Sequence, residues 1–339
     1  MEQALYQDLR IFSGNAHPEL AHSICSYLQM QLGACEVSEF SNENVFVRIE
    51  ENVRQRDVFI VQPMVPPVHT RIMELLIMID AMKRASAGRV TAVVPYYAYG
   101  RSDKKDQPRV PITARLMANL IETAGADRLL TVDLHAGQIQ GFFNIPVDEL
   151  TALFMISRYF QEKRLDNLVV VASDVGSSKR ARNVAQSLNA PLAVIEKRRT
   201  GNDEQSTVLN VIGEVSGKRA LIVDDEILTG ATILNSADAL MERDVVEIYV
   251  ACTHGLLSGS AIDRFRASSI VELVVTDTVP ISPEKQIPKL TQLTLAPLLG
   301  EAISRIHSGR SVGELFRLDV PSDGELTAER VPVGESGAS

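Results

Sequence analysis

Short apolar runs alternate along the chain with longer stretches whose apolar residues recur every three or four positions. The runs predict strands at 9–13, 45–49, 57–62, 89–95 and 128–132, and again at 168–172, 192–195, 220–223, 247–252 and 270–276. The periodic stretches predict helices at 17–32, 70–84, 113–124, 150–164, 178–188 and 297–307. A further helix carries Ile233, Leu234, Ala237, Leu240 and Met241 on one face. Runs such as Val169-Val170-Val171 lack a polar face, which suits strands covered on both sides. Strand and helix in turn imply doubly wound parallel sheets. The pattern repeats, so two α/β halves are expected, with a boundary near 145–150. An active site belongs where strand C-termini meet.

Composition narrows the class. The chain has 339 residues, enough for two domains with cores of their own. Apolar content of 45% and charged content of 23% describe a globular protein. With 34 Lys and Arg against 43 Asp and Glu, the net charge is −9, which argues against nonspecific nucleic-acid binding. Cys25, Cys35 and Cys252 lack metal-ligand spacing and suit reduced thiols. No secretory signal or membrane-spanning run is seen, so a cytoplasmic location with no membrane partner is expected. The stretch 200–206 is rich in Gly, Asn and Asp and is expected to be mobile. Residues 321–339 are expected to form a disordered tail.

The densest chemistry lies at 218–232. The apolar run 220–223 leads into Asp224 and Asp225, expected just past the strand end. Thr229, Gly230, Ala231 and Thr232 follow, and then the helix. A strand, a small-residue loop and a helix N-terminus make a phosphate cradle of amides and dipole. Carboxylates beside it accept hydrogen bonds from sugar hydroxyls. Together they suit a sugar phosphate. The same pattern also suits a plain turn with an acidic helix cap. No Lys follows the glycine, so this is not a Walker loop.

Other clusters lie at expected strand ends. Asp133 and His135, two apart, share a face and with Asp174 could hold a Mg²⁺–nucleotide; a hydrogen-bonded core histidine is the alternative. Lys197-Arg198-Arg199 could stabilise charge in phosphoryl transfer, or be a solvated run. Arg101, Lys104 and Lys105 have the same two readings.

Asp224-Asp225 through Thr229-Gly230-Ala231-Thr232 resembles the loop shared by type I phosphoribosyltransferases and ribose-phosphate diphosphokinases, also called PRPP synthases. The segments 94–106 and 111–114, the run 131–148, Ser173-Asp174-Val175-Gly176 with Arg180-Ala181-Arg182, Lys197-Arg198-Arg199 and residues 311–316 resemble the synthases alone. The resemblance covers about residues 9–317. It implies two phosphoribosyltransferase-type-I-like domains. The first is 1–148, with a helix at 301–318 packing back on it, and the second is 149–300. It also implies Mg²⁺-dependent transfer of diphosphoryl from ATP to ribose 5-phosphate. Under it, Lys197 and Arg199 are catalytic, and His135 and Asp174 are metal-site residues. Phe40, Asn42, Glu43, Asn44, Arg101, Ser102 and Asp103 meet ATP, with Phe40 stacking on adenine from a neighbouring subunit. Arg199, Asp224, Asp225, Leu228, Thr229, Gly230, Ala231 and Thr232 hold ribose 5-phosphate. A homo-oligomer, in the family a hexamer, is implied, and segments 83–86 and 308–311 resemble sites for phosphate or ADP as effectors.

The chain departs from that family at ligand-facing positions. Asn42-Glu43-Asn44 replaces Asp-Gly-Glu, Leu228 replaces an acidic or hydroxyl residue, and Ser102 replaces Gln. Ser173, Ser177 and Ser178 replace Pro, Gly and an apolar residue. These changes leave three functions open: an active synthase, a non-catalytic associated regulatory subunit, or a phosphoribosyltransferase consuming PRPP.

Overall fold

Val58-Phe59-Ile60-Val61 and Val90-Thr91-Ala92-Val93-Val94 have no exposed side, and each of these residues is fully buried in a computed structural model of the chain. Burying each such aliphatic side chain contributes about 1.5–3 kcal/mol, which favours interior strands. The structure describes residues 7–199 and 207–316; for 7, 197–199, 207–209 and 316 it describes the backbone alone. The described residues fall into two units. The first holds 7–151, 278–280 and 295–316, and the second 152–199, 207–277 and 281–294.

The first unit begins with β1 (Gln7–Ser13) and α1 (Pro18–Tyr27). A two-stranded antiparallel hairpin follows, β2 (Cys35–Glu39) and β3 (Val45–Ile49). Then come β4 (Arg56–Val61), α2 (Val68–Arg84), β5 (Arg89–Val94), α3 (Thr113–Ala124), β6 (Arg128–Val132) and β7 (Val147–Leu150). Strands β1-β4-β5-β6-β7 form one parallel sheet in that order.

The second unit has α4 (Leu153–Lys163), β8 (Leu168–Ala172), α5 (Ser178–Ser187), β9 (Leu192–Arg199), β10 (Thr207–Ile212) and β11 (Arg219–Ile227). It continues with α6 (Ala231–Met241), β12 (Glu247–Gly255), α7 (Ala261–Ala267), β13 (Ile270–Thr276) and β14 (Leu290–Leu293). Its sheet runs β10-β9-β8-β11-β12-β13-β14 and is parallel except for β10 against β9.

The chain then returns to the first unit as α8 (Ala296–Ser308). Its Leu298, Leu299, Ala302, Ile303 and Ile306 are buried. It packs on α1 so closely that a Cβ on Gly300 would lie 2.5 Å from Tyr27 Cδ1. A fully buried carboxylate fixes its far end. Arg89 Nε donates to Asp57 Oδ1 at 2.8 Å, and the His307 ring Nδ1 lies 2.9 Å from Asp57 Oδ2. Arg89 also donates to the Ile306 carbonyl at 3.0 Å. Burial alone would raise the Asp57 carboxyl, but hydrogen bonds from His307 and Arg89 hold it below the usual range.

The expected α/β architecture with parallel sheets is present. Several boundaries differ for physical reasons. The helix expected at 17–32 ends at Tyr27, where Gln29 takes a left-handed φ of 54°. The helix expected at 150–164 starts at Leu153, because 147–150 pair with β6 as an edge strand. The strand expected at 192–195 runs on to Arg199 because β10 pairs with it in antiparallel register, Arg199 opposite Thr207. The helix expected at 301–318 is α8, which ends at Ser308 with Gly309 as a left-handed cap. The stretch 200–206 and the tail 321–339 lie outside the described residues.

Removing the Asp57 carboxylate leaves Arg89 and His307 facing a buried gap. Asp57→Ala is expected to destabilise the protein by about 3–5 kcal/mol, read as a lower urea midpoint. Because the native carboxyl is held low, the wild-type advantage is present above the ordinary carboxyl range. It is lost as pH falls through the Asp57 titration.

Candidate active site

The strand order of the second unit reverses between β8 and β11: β9 lies on one side of β8, and β11 with β12 on the other. Such a switch point opens a crevice at the strand C-termini. Strand β8 pairs with β11 only as far as Ala172 opposite Val223. Strand β12 pairs further, with Glu226 opposite His254 and Ile227 opposite Gly255. Asp224 and Asp225 were expected past the strand end. They lie inside β11, because β12 carries it on to Ile227. Beyond Val223 the β8 side of β11 is left to the loop at 173–177.

That loop meets Asp224 directly. Ser173 Oγ donates to Asp224 Oδ2 at 2.6 Å, and the Asp225 amide donates to Asp224 Oδ1 at 2.9 Å. Asp174 Oδ1 accepts from the Ser177 amide at 2.8 Å. Arg180, on α5, places Nη1 3.5 Å from Asp225 Oδ1. Asp174, Asp224 and Asp225 are thus gathered with Arg180 at one crevice.

The small-residue loop follows. Gly230 caps α6 with φ 73°, and an added Cβ would lie 2.6 Å from the Phe265 ring, so only glycine fits. The Ser258 amide donates to the Leu228 carbonyl at 2.8 Å, and Arg264 Nη1 to the Thr229 carbonyl at 3.4 Å. Those carbonyls are therefore held by the α7 side. The first-turn amides of α6 have no acceptor within the helix, and no described residue accepts from those of Gly230, Ala231 or Thr232. With the positive end of the α6 dipole, they suit an anion. Leu228 is half-buried beside them.

Burial pushes the Asp224 carboxyl up to about 7, and the hydrogen bond and charge of Asp225 add to this. The Ser173 hydroxyl and the Asp225 amide oppose it. An acidic pair in this setting is costly without a ligand or donor to satisfy it.

The first unit gathers a second set. A Cβ on Gly100 would lie 3.2 Å from His135 Cβ, so the loop carrying Arg101 packs against the loop carrying His135. Gln138 Nε2 donates to Asp103 Oδ2 at 2.5 Å. Ser102 Oγ accepts from the Thr113 amide at 3.2 Å, so that hydroxyl helps anchor α3. His135, Arg101, Lys104 and Lys105 are exposed. At the tip of the hairpin, Phe40 is 56% exposed, with its ring 5.5 Å from Phe46 in a tilted pair. Glu43 takes φ 65° and Asn42 Oδ1 accepts from the Asn44 amide, so the tip is a tight turn. Glu43 and Asn44 line a groove of about 690 Å³ with His69, Thr70 and Met73. The side chains of Lys197 and Arg199 lie outside the described residues, and their backbone forms the end of β9.

The family model for the N-terminal domain of ribose phosphate pyrophosphokinase matches residues 9–125. The phosphoribosyl synthetase-associated domain matches residues 202–317. A ribose-phosphate pyrophosphokinase of Caldanaerobacter subterraneus subsp. tengcongensis is 52% identical over 309 residues, covering 91% of this chain and 98% of the relative. The chain belongs to the ribose-phosphate pyrophosphokinase family. The Bacillus subtilis pyrophosphokinase is 48% identical over 310 residues, with 91% and 98% covered. A crystal structure of phosphoribosylpyrophosphate synthetase from Mycobacterium smegmatis superposes with a TM-score of 0.85 at 43% identity, covering 88% of this chain and 99% of that one. The pyrophosphokinase resemblance read from the motifs is therefore the family of the whole chain.

Some of this pyrophosphokinase site was not read from sequence. The Ser173–Asp224 hydrogen bond joins residues far apart in the chain, and the Gln138–Asp103 bond does the same. Arg264 and Phe265, which shape the α6 loop, sit on a helix too short for its periodicity to stand out. Their one signal is that Gly230 must be crowded by something.

The raised Asp224 carboxyl gives a pH test with a definite sign. The native state holds a proton more tightly than the unfolded chain, so stability falls as pH rises from the ordinary value of 3.8 to about 7. In the ligand-free enzyme, Asp224→Asn is expected to flatten that fall in Tm, and scanning calorimetry between pH 5 and 8 measures it.

Proposed function

We propose that the chain transfers the diphosphoryl group of ATP to the 1-hydroxyl of ribose 5-phosphate, giving PRPP and AMP. The ribose O1 attacks the β-phosphorus, the bond from β-phosphorus to the α-phosphate oxygen breaks, and the hydroxyl proton is released. The observation that carries this reading is the pairing of Asp224 with the α6 N-terminus. A half-buried carboxylate able to accept sugar hydroxyls stands before a cradle of amides suited to a phosphate.

Each part then has a task. The amides of 229–232 bind the 5-phosphate. Asp224 accepts from the ribose hydroxyls, with Asp225 and Arg180 beside it. Phe40, Asn42, Glu43 and Asn44 bind the base, and Arg101, Ser102 and Asp103 the nucleotide. The Ser102 hydroxyl is already engaged with α3, so its part is to hold that loop. Lys197 and Arg199 neutralise charge on the transferring group. Asp174 in the second unit and His135 in the first are each a candidate to hold a Mg²⁺. The chemistry of Asp174 fits: Ser177 occupies one oxygen and leaves the other, and Mg²⁺ takes few protein carboxylates alongside substrate phosphates. When bound, the ion supplies charge neutralisation on the phosphates. A homo-oligomer, with phosphate and ADP as effectors, completes the proposal. Among the described residues no helix is long and apolar enough to cross a membrane.

Phosphorus NMR of protein with Mg-ATP and ribose 5-phosphate tests the activity. Equimolar AMP and PRPP are expected. Retained ATP binding without turnover would instead indicate an associated regulatory subunit. Lys197→Ala is expected to lower kcat by about two to four orders of magnitude with KM little changed, and a near-normal kcat would remove that role. Leu228→Asp is expected to lower the KM for ribose 5-phosphate by up to about tenfold. Steady-state kinetics at saturating ATP measures it, and an unchanged or raised KM would show that no carboxylate is needed there.

A further inference from the structure

Ser173 lies at the end of β8, fully buried, and takes no part in the chemistry described so far. Its one hydroxyl proton points at Asp224 Oδ2 across 2.6 Å. The Ser173 oxygen lies 3.3 Å from Ser177 Oγ. The Ser173 proton is committed to Asp224 and the Ser177 proton to the Asp174 carbonyl, so the two hydroxyl oxygens are packed neighbours with no proton left to share between them. Ser177 in turn closes the turn at Asp174: its amide donates to Asp174 Oδ1 at 2.8 Å, and its hydroxyl lies 3.0 Å from the Asp174 carbonyl. Ser177 therefore packs the turn at the end of β8 against Ser173, and the Ser173 hydroxyl reaches the carboxylate inside β11.

Asp224 Oδ2 accepts from Ser173 and Oδ1 from the Asp225 amide, and the Asp225 side chain shares a further hydrogen bond with this carboxyl. A carboxylate offers about four acceptor positions, so capacity remains beside these for a pentose hydroxyl. Without Ser173, Oδ2 loses its donor, the buried charge loses part of its stabilisation, and the carboxylate is free to rotate.

We propose that Ser173, backed by Ser177, is a positioning residue for ribose 5-phosphate: it fixes the orientation of Asp224 so that its remaining acceptor capacity faces the sugar. This rests on the reading of Asp224 as the sugar-binding carboxylate. The serine pair thereby links the β8 turn, which carries Asp174, to the sugar subsite.

Isothermal titration calorimetry with ribose 5-phosphate, in EDTA and without nucleotide, tests this on the full chain. Steady-state kinetics runs alongside. Ser173→Ala is expected to raise the dissociation constant and the KM for ribose 5-phosphate by about three- to tenfold. The KM for Mg-ATP should be unchanged and kcat little altered. Ser177→Ala is expected to give a smaller shift in the same direction, and it carries the test if Ser173→Ala does not fold. Asp224→Ala separates the two layers. If it abolishes sugar binding while both serine variants bind normally, the positioning role is wrong and the sugar site stands. If Asp224→Ala binds normally, the site reading itself falls. Equal losses for sugar and nucleotide in the serine variants would mark them as merely structural and overturn the proposal.

Discussion

The constraint on which this molecule turns is that two carboxylates are embedded in an interior strand. Asp224 and Asp225 follow Leu221, Ile222 and Val223, all fully buried, with no break in the strand. Ionised groups there demand partners. The fold provides a serine hydroxyl, a backbone amide and an arginine, and leaves acceptor positions unused on Asp224. That capacity, placed before the start of α6, suits the proposed ligand, which carries neighbouring hydroxyls and a phosphate.

The sheet explains why this can persist. Strand β8 ends at Ala172 while β12 carries β11 on to Ile227, so one edge of β11 is open where the chain order reverses. The loop after β11 is then held from behind by α7: carbonyls are drawn toward Ser258 and Arg264, and Phe265 crowds Gly230. Amides are left for the anion. In the first unit the same logic appears in another form. Asp57 is buried but fully partnered, and it secures α8 rather than binding anything. One buried carboxylate is saturated and structural, while the other is left short and available.

Much of this was legible in the sequence. The apolar run at 168–172 and the Val- and Leu-rich run at 270–276, interrupted by Glu272, marked strands with correct bounds. The helix at 113–124 was equally clear, ending at Gly125 in the left-handed conformation. The small-residue loop before α6 was recognisable because its residue types are required by its geometry. Less legible were elements whose definition depends on a distant partner. Strand β7 exists through β6, β10 through β9, and β14 through β13. The acidic pair was placed outside its strand because local polarity suggested an end, whereas pairing with β12 overrides it. Ser173 gave no sign of its role, since its partner lies across the sheet.

Amide-resolved NMR of the ligand-free enzyme, titrated with ribose 5-phosphate alone, addresses the sugar-phosphate cradle most directly. Saturable downfield shifts confined to the amides of 229–232 and to Asp225 are expected as the phosphate and sugar engage them. Saturable binding that leaves those amides unmoved would contradict it.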